Sequence, residues 1–273
     1  MTTRETTMLC AARARLARPA LLAAGMSCAE RSTRTSRAVA CESPPPPLSS
    51  LAFVYFPVRA LAEAARMVLE YGGVPYTDLS TKEYWGEEGW KAGKPKTAFG
   101  QLPLLCVGGR ELYQTGAIVR YCASLVPSLV PTDAFEAART DALYEASEEL
   151  SAVNPIVNVW RGEKFEAKRA EFFELFPRKC ANLALLLCDG PFFCGAAPTY
   201  ADFALYHVFD QARLLEPSAL DAHPSVLRFM QHVEALPRIR EYLAARPKPI
   251  DIGTKPMLAP HIVGSRCAQA ERR

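Results

Sequence analysis

LAFVYFPVRALAEAARMVLEYGGVPYTDL, residues 51–79, decides the architecture. Leu51–Tyr55 is a short apolar run rich in strand formers, and Pro57 breaks it. Over Ala60–Tyr71 the apolar residues Leu61, Ala64, Ala65, Val68 and Leu69 fall on one face of a helix, which Gly72-Gly73 ends. Val74–Leu79 then reads as a second strand. Working outward, Tyr84–Lys96 is polar, carries glycines and a proline, and reads as an irregular loop. Leu102–Val107 is a third strand and Arg110–Tyr113 a fourth; Gly108-Gly109 between them suits the positive φ of a tight hairpin turn. Thr115–Ser124 follows as a helix with Ile118, Val119 and Cys122 inward.

Strand, helix, strand, irregular segment, hairpin, helix is the thioredoxin-like α/β layout, here assigned to residues 50–126. Pro127 and Pro131 mark a linker over 127–133. From 134 to 247 the pattern is helical throughout, an all-α bundle. Its predicted helices are Ala134–Leu150, bent by Pro155, then Lys164–Cys188, Tyr200–Leu214, Pro224–Leu236 and Arg238–Ala245. Thr199-Tyr200-Ala201-Asp202 has the spacing of a capping box, so Tyr200 opens its helix. Residues 248–273 form a proline-rich tail.

A net charge of +3 over 273 residues is too small to imply a nucleic-acid or membrane-surface partner, and no apolar run nears the 18 or so residues of a span. The nine cysteines include no Cys-x-x-Cys pair and no zinc-type spacing, so no metal is called for. Their odd number and scatter fit a reducing compartment; Cys106 and Cys122 read as small core residues. Residues 1–49 stand apart: arginine-rich, serine-rich, poor in acids and closed by Pro44–Pro47. Such a leader is similar to an organellar transit peptide; a disordered extension, or a start at Met26, is the alternative. The protein is therefore expected in the cytoplasm, or in a plastid or mitochondrion if the leader is a transit peptide.

Four segments stand in a telling order: Tyr55-Phe56-Pro57-Val58-Arg59 after the first strand, Gly100-Gln101-Leu102-Pro103 before the third, Leu112-Tyr113-Gln114-Thr115 at the hairpin's end, and Thr199–Asp202. Together, over about residues 51–250, they resemble the tyrosine-type glutathione transferases, most closely the pi and sigma classes. The resemblance implies that Tyr55 is the catalytic residue. A neutral phenol that donates a hydrogen bond to sulfur favours thiolate over thiol, and the thiolate is the nucleophile. It implies a cis peptide at Leu102-Pro103, with the Leu102 main chain pairing the cysteinyl backbone of glutathione as an added strand would. Gln114 and Thr115 take the γ-glutamyl end at a helix start, whose free amides suit a carboxylate. Trp85, Lys94 (or Lys91) and Gln101 take the glycine end. Glu149 reaches towards the γ-glutamyl amine in the partner subunit's site, and Phe99 wedges into the neighbouring subunit of a homodimer. A hydrophobic cosubstrate pocket takes Phe56, Val58, Leu61 and, from the second domain, Val159 or Trp160. Glutathione is a cosubstrate, and no organic cofactor or metal is implied.

The sequence departs from the family pattern after Arg59. Glycine then arginine is usual there, whereas this chain has Ala60 and Leu61. Arg59 is a candidate substitute for the missing cation. The expected activity is conjugation of glutathione to hydrophobic electrophiles, as in detoxification. The alternatives are a sigma-like glutathione-dependent isomerase or peroxidase, and a non-catalytic binding or scaffold protein of the same fold.

Overall fold

The computed structural model describes residues 51–158, 163–187 and 190–246, and the backbone of 249–251 and 257–258. The leader 1–49, the sites expected at Val159 and Trp160, Cys188 and most of the tail lie outside the described residues.

A four-stranded sheet has the order β2-β1-β3-β4. Its strands are β1 (Leu51–Tyr55), β2 (Thr77–Ser80), β3 (Leu104–Val107) and β4 (Arg110–Tyr113). β2 runs parallel to β1, and β3 and β4 are antiparallel to their neighbours. Side chains alternate across the sheet as a period of two requires. Leu51, Phe53 and Tyr55 join the main core with α1 (Glu63–Gly72) and α4 (Thr115–Ser124); Val54, Leu104 and Tyr113 form a smaller cluster on the opposite face, against Trp85. The Gly108-Gly109 turn has φ of 53° and 78°, which residues bearing a Cβ adopt at a cost.

Three expectations in this region are corrected. The second strand begins at Thr77 rather than Val74. Gly73 is left-handed at φ 64° and the Val74 N–H turns back to the Leu69 carbonyl at 2.9 Å, so Val74 belongs to the helix cap; Pro75 has no N–H to give a ladder. The stretch Tyr84–Lys96 is not irregular but holds α2 (Thr81–Trp85), α3 (Trp90–Gly93) and a 3₁₀ turn at Lys94–Lys96. Ser80 starts α2 through a capping box: its hydroxyl accepts from the Glu83 N–H at 3.2 Å, and the Glu83 carboxylate accepts from the Ser80 N–H at 2.7 Å. β3 also starts two residues later than expected, after a Leu102-Pro103 bond that is cis.

The helical part contains α5 (Ala134–Val153), α6 (Glu163–Leu186), α7 (Tyr200–Leu215), α8 (Pro224–Ala235) and α9 (Pro237–Ala245). α5 is not bent by Pro155 but stops before it: Asn154 is extended, as a residue preceding proline prefers, and its Oδ1 accepts from the Ile156 N–H at 2.9 Å. α7 is the buried centre of the bundle. Asp202, fully buried, accepts from the N–H and hydroxyl of Thr199, each at 2.7 Å, and from the Phe193 N–H at 2.9 Å. One carboxylate thus caps α7 and ties the preceding loop to it. Phe172, Phe176, Phe209, Phe229 and Phe193 pack ring against ring with centroids 4.9–6.5 Å apart. Among the described residues no helix is long and apolar enough to cross a membrane.

Candidate active site

Three chain segments meet at one end of the sheet: the turn after β1, the approach to β3, and the junction of β4 with α4. Between them lies a cavity of about 530 Å³. Phe56, Leu61 and Trp90 form its apolar wall. Gln101, Gln114, Thr115 and Glu148 supply polar groups, and Gly100, Leu102 and Pro103 complete the rim. The Gln114 amide donates to the Gln101 side-chain oxygen at 3.2 Å, so the two form one polar ledge.

Gln114 has φ 70° and ψ 122°, outside even the left-handed helical region, and its side chain is exposed. A β-carbon residue held there is strained by about 1–3 kcal/mol, and such strain clusters at ligand clamps. Gln114 occupies the N-cap position of α4 without capping it through its side chain, and Thr115 is the first helical residue rather than the cap. The opening N–H groups of α4 accordingly receive no side-chain cap.

Tyr55 ends β1 directly behind this wall. Its ring is 5% exposed and lies 5.5 Å from that of Phe56, which does line the cavity. Burial raises its pKa, against the lowering effect of the Leu61 N–H at its hydroxyl and of the Arg66 charge, so it remains a protonated phenol. The hydroxyl therefore adjoins Leu61, which itself lines the cavity.

Other expected site residues lie elsewhere. Trp90, not Trp85, stands on the cavity wall; Trp85 sits between the rings of Tyr84 and Trp90 and covers Gly93, where a β-carbon would come within 2.3 Å of its indole. Lys94 is at the rim, its Cε 3.9 Å from where a β-carbon on Gly100 would be, whereas Lys91 is exposed and 3.8 Å from Glu88. Glu148 faces the cavity; Glu149 points away and pairs with Lys179. Burial, then repulsion from Glu145, holds the Glu148 carboxyl above the usual carboxylate range, against the Tyr144 hydroxyl and Arg120. Val58 packs on the core without reaching the cavity, and its carbonyl accepts from Arg66 at 2.9 Å. Arg59 is buried with its guanidinium 3.7 Å from Asp210, turned into the helical part. Phe99 is 59% exposed, its ring 5.9 Å from that of Tyr113. Cys106 is half-buried with Tyr84 Oη 3.2 Å from its sulfur, so of the two expected core thiols only Cys122 is fully buried.

Reading from sequence missed Trp90 and Glu148. Each stands beside a residue that was chosen: Trp90 is the second tryptophan of the same segment, four positions before Lys94, and Glu148 precedes Glu149.

Comparison with known proteins bears on what such a cavity holds. Residues 51–124 match the family model described as glutathione S-transferase, N-terminal domain, and residues 152–246 the one described as glutathione S-transferase, C-terminal domain. Among curated proteins, glutathione S-transferase Mu 2 of Mus musculus is 32% identical over 198 residues, 69% of this chain and 88% of the relative. Glutathione S-transferase 1 of Ascaris suum is 32% identical over 201 residues, covering 71% and 95%. Among solved structures, the pi-class glutathione S-transferase of Onchocerca volvulus superposes with a TM-score of 0.63 at 26% identity, over 72% of this chain and 93% of that one. Rat hPGDS complexed with a quinoline gives 0.66 at 25% identity, over 72% and 98%.

Proposed function

The chain belongs to the glutathione S-transferase family and is a glutathione transferase; from that premise we propose that Tyr55 activates the thiol and that the cavity beside it holds glutathione against a hydrophobic electrophile. What supports this reading is Tyr55, buried behind the Phe56 side of the wall and kept neutral by burial, next to a cavity lined by Gln101, Leu102 and the Gln114–Thr115 entrance to α4. No organic cofactor is required.

The roles follow from the groups present. The phenol of Tyr55, kept neutral by burial, donates to the thiol sulfur and favours the thiolate. The γ-glutamyl carboxylate takes the free amides at the start of α4 and the Thr115 hydroxyl. Gln101 orients the peptide from the rim, and Trp90 and Lys94 take the glycine end. Glu148, on the wall of this chain's own cavity, meets the γ-glutamyl ammonium, whereas Glu149 was expected to act in the partner subunit's site. Phe56 and Leu61 form the apolar side on which the electrophile rests, and holding the two reactants together supplies much of the acceleration. The pi- and sigma-like reading is supported by the Tyr55–Arg59 motif and by the likeness to the pi-class structure and to hPGDS. Phe99, a large exposed aromatic on a polar loop, is the anchor of a homodimer. The domain limits 50–126, 127–133 and 134–247 remain our reading of the layout. So does an organellar address in residues 1–49, testable by import of a reporter fused to them.

The test is conjugation of glutathione to a neutral aryl halide by the full chain, wild type beside Tyr55→Phe. Expected is turnover in the wild type and a loss of about 10²–10⁴-fold in kcat for the variant. Glutathione binding without turnover would favour the scaffold alternative, and equal activity of the two proteins would remove Tyr55 from the chemistry.

A further inference from the structure

The turn that presents the Leu61 amide to Tyr55 is gripped on both sides by residues of the helical part. It is a single 3₁₀ turn, Ala60–Ala62, and Ala60 is held at φ 34°, a conformation costly for a residue with a β-carbon. Arg59, just before it, lies 3.7 Å from the Asp210 carboxylate of α7. Glu63, just after it, is 2.7 Å from Arg246, which follows α9, and accepts from the Tyr242 hydroxyl of α9 at 2.9 Å. Arg246 closes the circuit with its other nitrogen, 2.7 Å from Asp210. The side chains of Arg59, Glu63, Asp210 and Arg246 are all at most 10% exposed. At the far end of α1, Arg238 of α9 donates to the Glu70 carbonyl at 3.1 Å, so α9 holds α1 at both ends.

Glu63 and Asp210 are each shared among several guanidiniums: Arg246 meets both, Arg66 is 4.0 Å from Glu63, and Arg59 and Arg213 are 3.7 and 3.2 Å from Asp210. A buried set of this kind is fixed in geometry, because moving one member strands another charge away from water. Strained backbone persists only where its surroundings over-determine it. This cluster brackets Ala60: one member precedes the turn and another follows it. If the grip loosens, the turn relaxes, and the Leu61 N–H at the Tyr55 hydroxyl moves with it. Displacements of an ångström or less at a reacting centre have large kinetic effects.

We propose that Asp210 and Arg246 are positioning residues for the thiol chemistry: by holding Arg59 and Glu63 they fix the Ala60–Ala62 turn and, through the Leu61 amide, the Tyr55 hydroxyl. This rests on Tyr55 as the thiol activator. It places part of the control of thiol acidity in α7 and in the residue that follows α9, away from the cavity lining. Gln114, Thr115 and Trp90 are not held by the cluster, so glutathione affinity is separable from thiol activation.

The experiment uses the full chain with Arg246→Met, Arg246→Lys and Asp210→Asn beside wild type and Tyr55→Phe. It measures kcat and KM for glutathione across pH, and the ultraviolet absorbance of the bound thiolate. For Arg246→Met, kcat falls about tenfold and the thiolate titration moves up by about one pH unit, with KM for glutathione within about threefold of wild type. Arg246→Lys keeps the charge but not the forked geometry and falls between; Asp210→Asn moves in the same direction. Should Arg246→Met not fold, the other two variants carry the same readings. Folded variants with lowered melting temperature but wild-type kcat and titration would overturn the proposal, leaving the cluster purely structural. An inactive wild type would instead refute the proposed function, whereas an active wild type with inactive Tyr55→Phe and unshifted Arg246 and Asp210 variants would refute only the positioning role.

Discussion

Replacing Gln114 by glycine is expected to make the protein more stable and the enzyme worse. At φ 70° and ψ 122° the residue carries strain of about 1–3 kcal/mol that glycine, lacking a β-carbon, does not. Against this, glycine increases the freedom of the unfolded chain, at a cost of about 0.4–1 kcal/mol. The side chain is exposed, so no buried surface is lost, and its one hydrogen bond, to Gln101, joins two solvent-facing amides. The net gain is about 1 kcal/mol, which in a chain of this size raises the melting temperature by roughly 2–4 °C. Gln114→Ala is the control: it removes the same amide and keeps the strain. Inside a helix alanine is the more stable of the two by roughly 1 kcal/mol; here the order should reverse. The catalytic effect runs the other way. Losing the amide removes a hydrogen bond to a charged ligand group, of about 1.5–3 kcal/mol, so KM for glutathione rises at least tenfold in both variants. Thermal denaturation and steady-state kinetics on the three proteins suffice. If glycine proves less stable than alanine, the backbone of Gln114 is not under strain and the reasoning fails.

Acid should weaken the fold in two stages. His207 is buried with no hydrogen-bond partner at either ring nitrogen, and burial, reinforced by Arg246 and Arg59 against Glu63 and Asp210, lowers its pKa from 6.5 to about 4. Its neutral form is kept in the fold while the unfolded chain takes up the proton, so stability present above pH 6.5 is lost as pH falls towards 4, by about 3 kcal/mol at most. Glu63 follows and is coupled to it: although burial alone pushes its carboxyl up, Arg246, then His207, Arg66 and Arg59 hold it down to about 2, so its contribution is lost from about pH 4.5 downwards. Urea denaturation across this range should show His207→Asn with a flatter slope between pH 6.5 and 4; an unchanged slope would exclude His207 as its source. The two tryptophans should separate cleanly. Trp90→Ala is expected to raise KM for glutathione at least severalfold with little loss of stability, since it lines the cavity. Trp85→Ala is expected to cost about 3 kcal/mol or more in denaturant while leaving KM nearly unchanged, since it fills the space over Gly93. The reverse pattern would return the glycine-end role to Trp85.

The strands and helices of the sheet domain were legible because the signals were local: the apolar run Leu51–Tyr55, the paired glycines at 72–73 and 108–109, and the inward stripe Ile118, Val119, Cys122. α2 was equally local but overlooked, since Ser80 and Glu83 already have capping-box spacing. Residues next to an element boundary, such as Gln101, Leu102, Gln114 and Thr115, do line one cavity, because the hairpin and the elements beside it fix where they stand. Trp85 and Glu149, on helical segments, do not. Choosing Glu148 over Glu149, or Trp90 over Trp85, requires knowing which way a helix is turned about its axis, and one residue turns it by about 100°. The destination of Arg59 was out of reach altogether. Its partner Asp210 lies on α7, and no spacing in the sequence relates the two.

The grip of α9 on α1 bears on when the site comes into being. Glu63 and Arg246 are separated by 183 positions, so as the chain leaves the ribosome the thioredoxin-like part is complete long before Arg246 exists. Until then Glu63 keeps Arg66, 4.0 Å away, but lacks Arg246 and Tyr242, and the turn at Ala60 lacks the ties to α7 and α9 that flank it. Contacts of such long range close slowly, because the loop entropy must be met first. The active site is thus among the last things to be finished. The turn and its clamp come from distant parts of the chain, so a half exchanged or duplicated as a module would arrive without its charge partners.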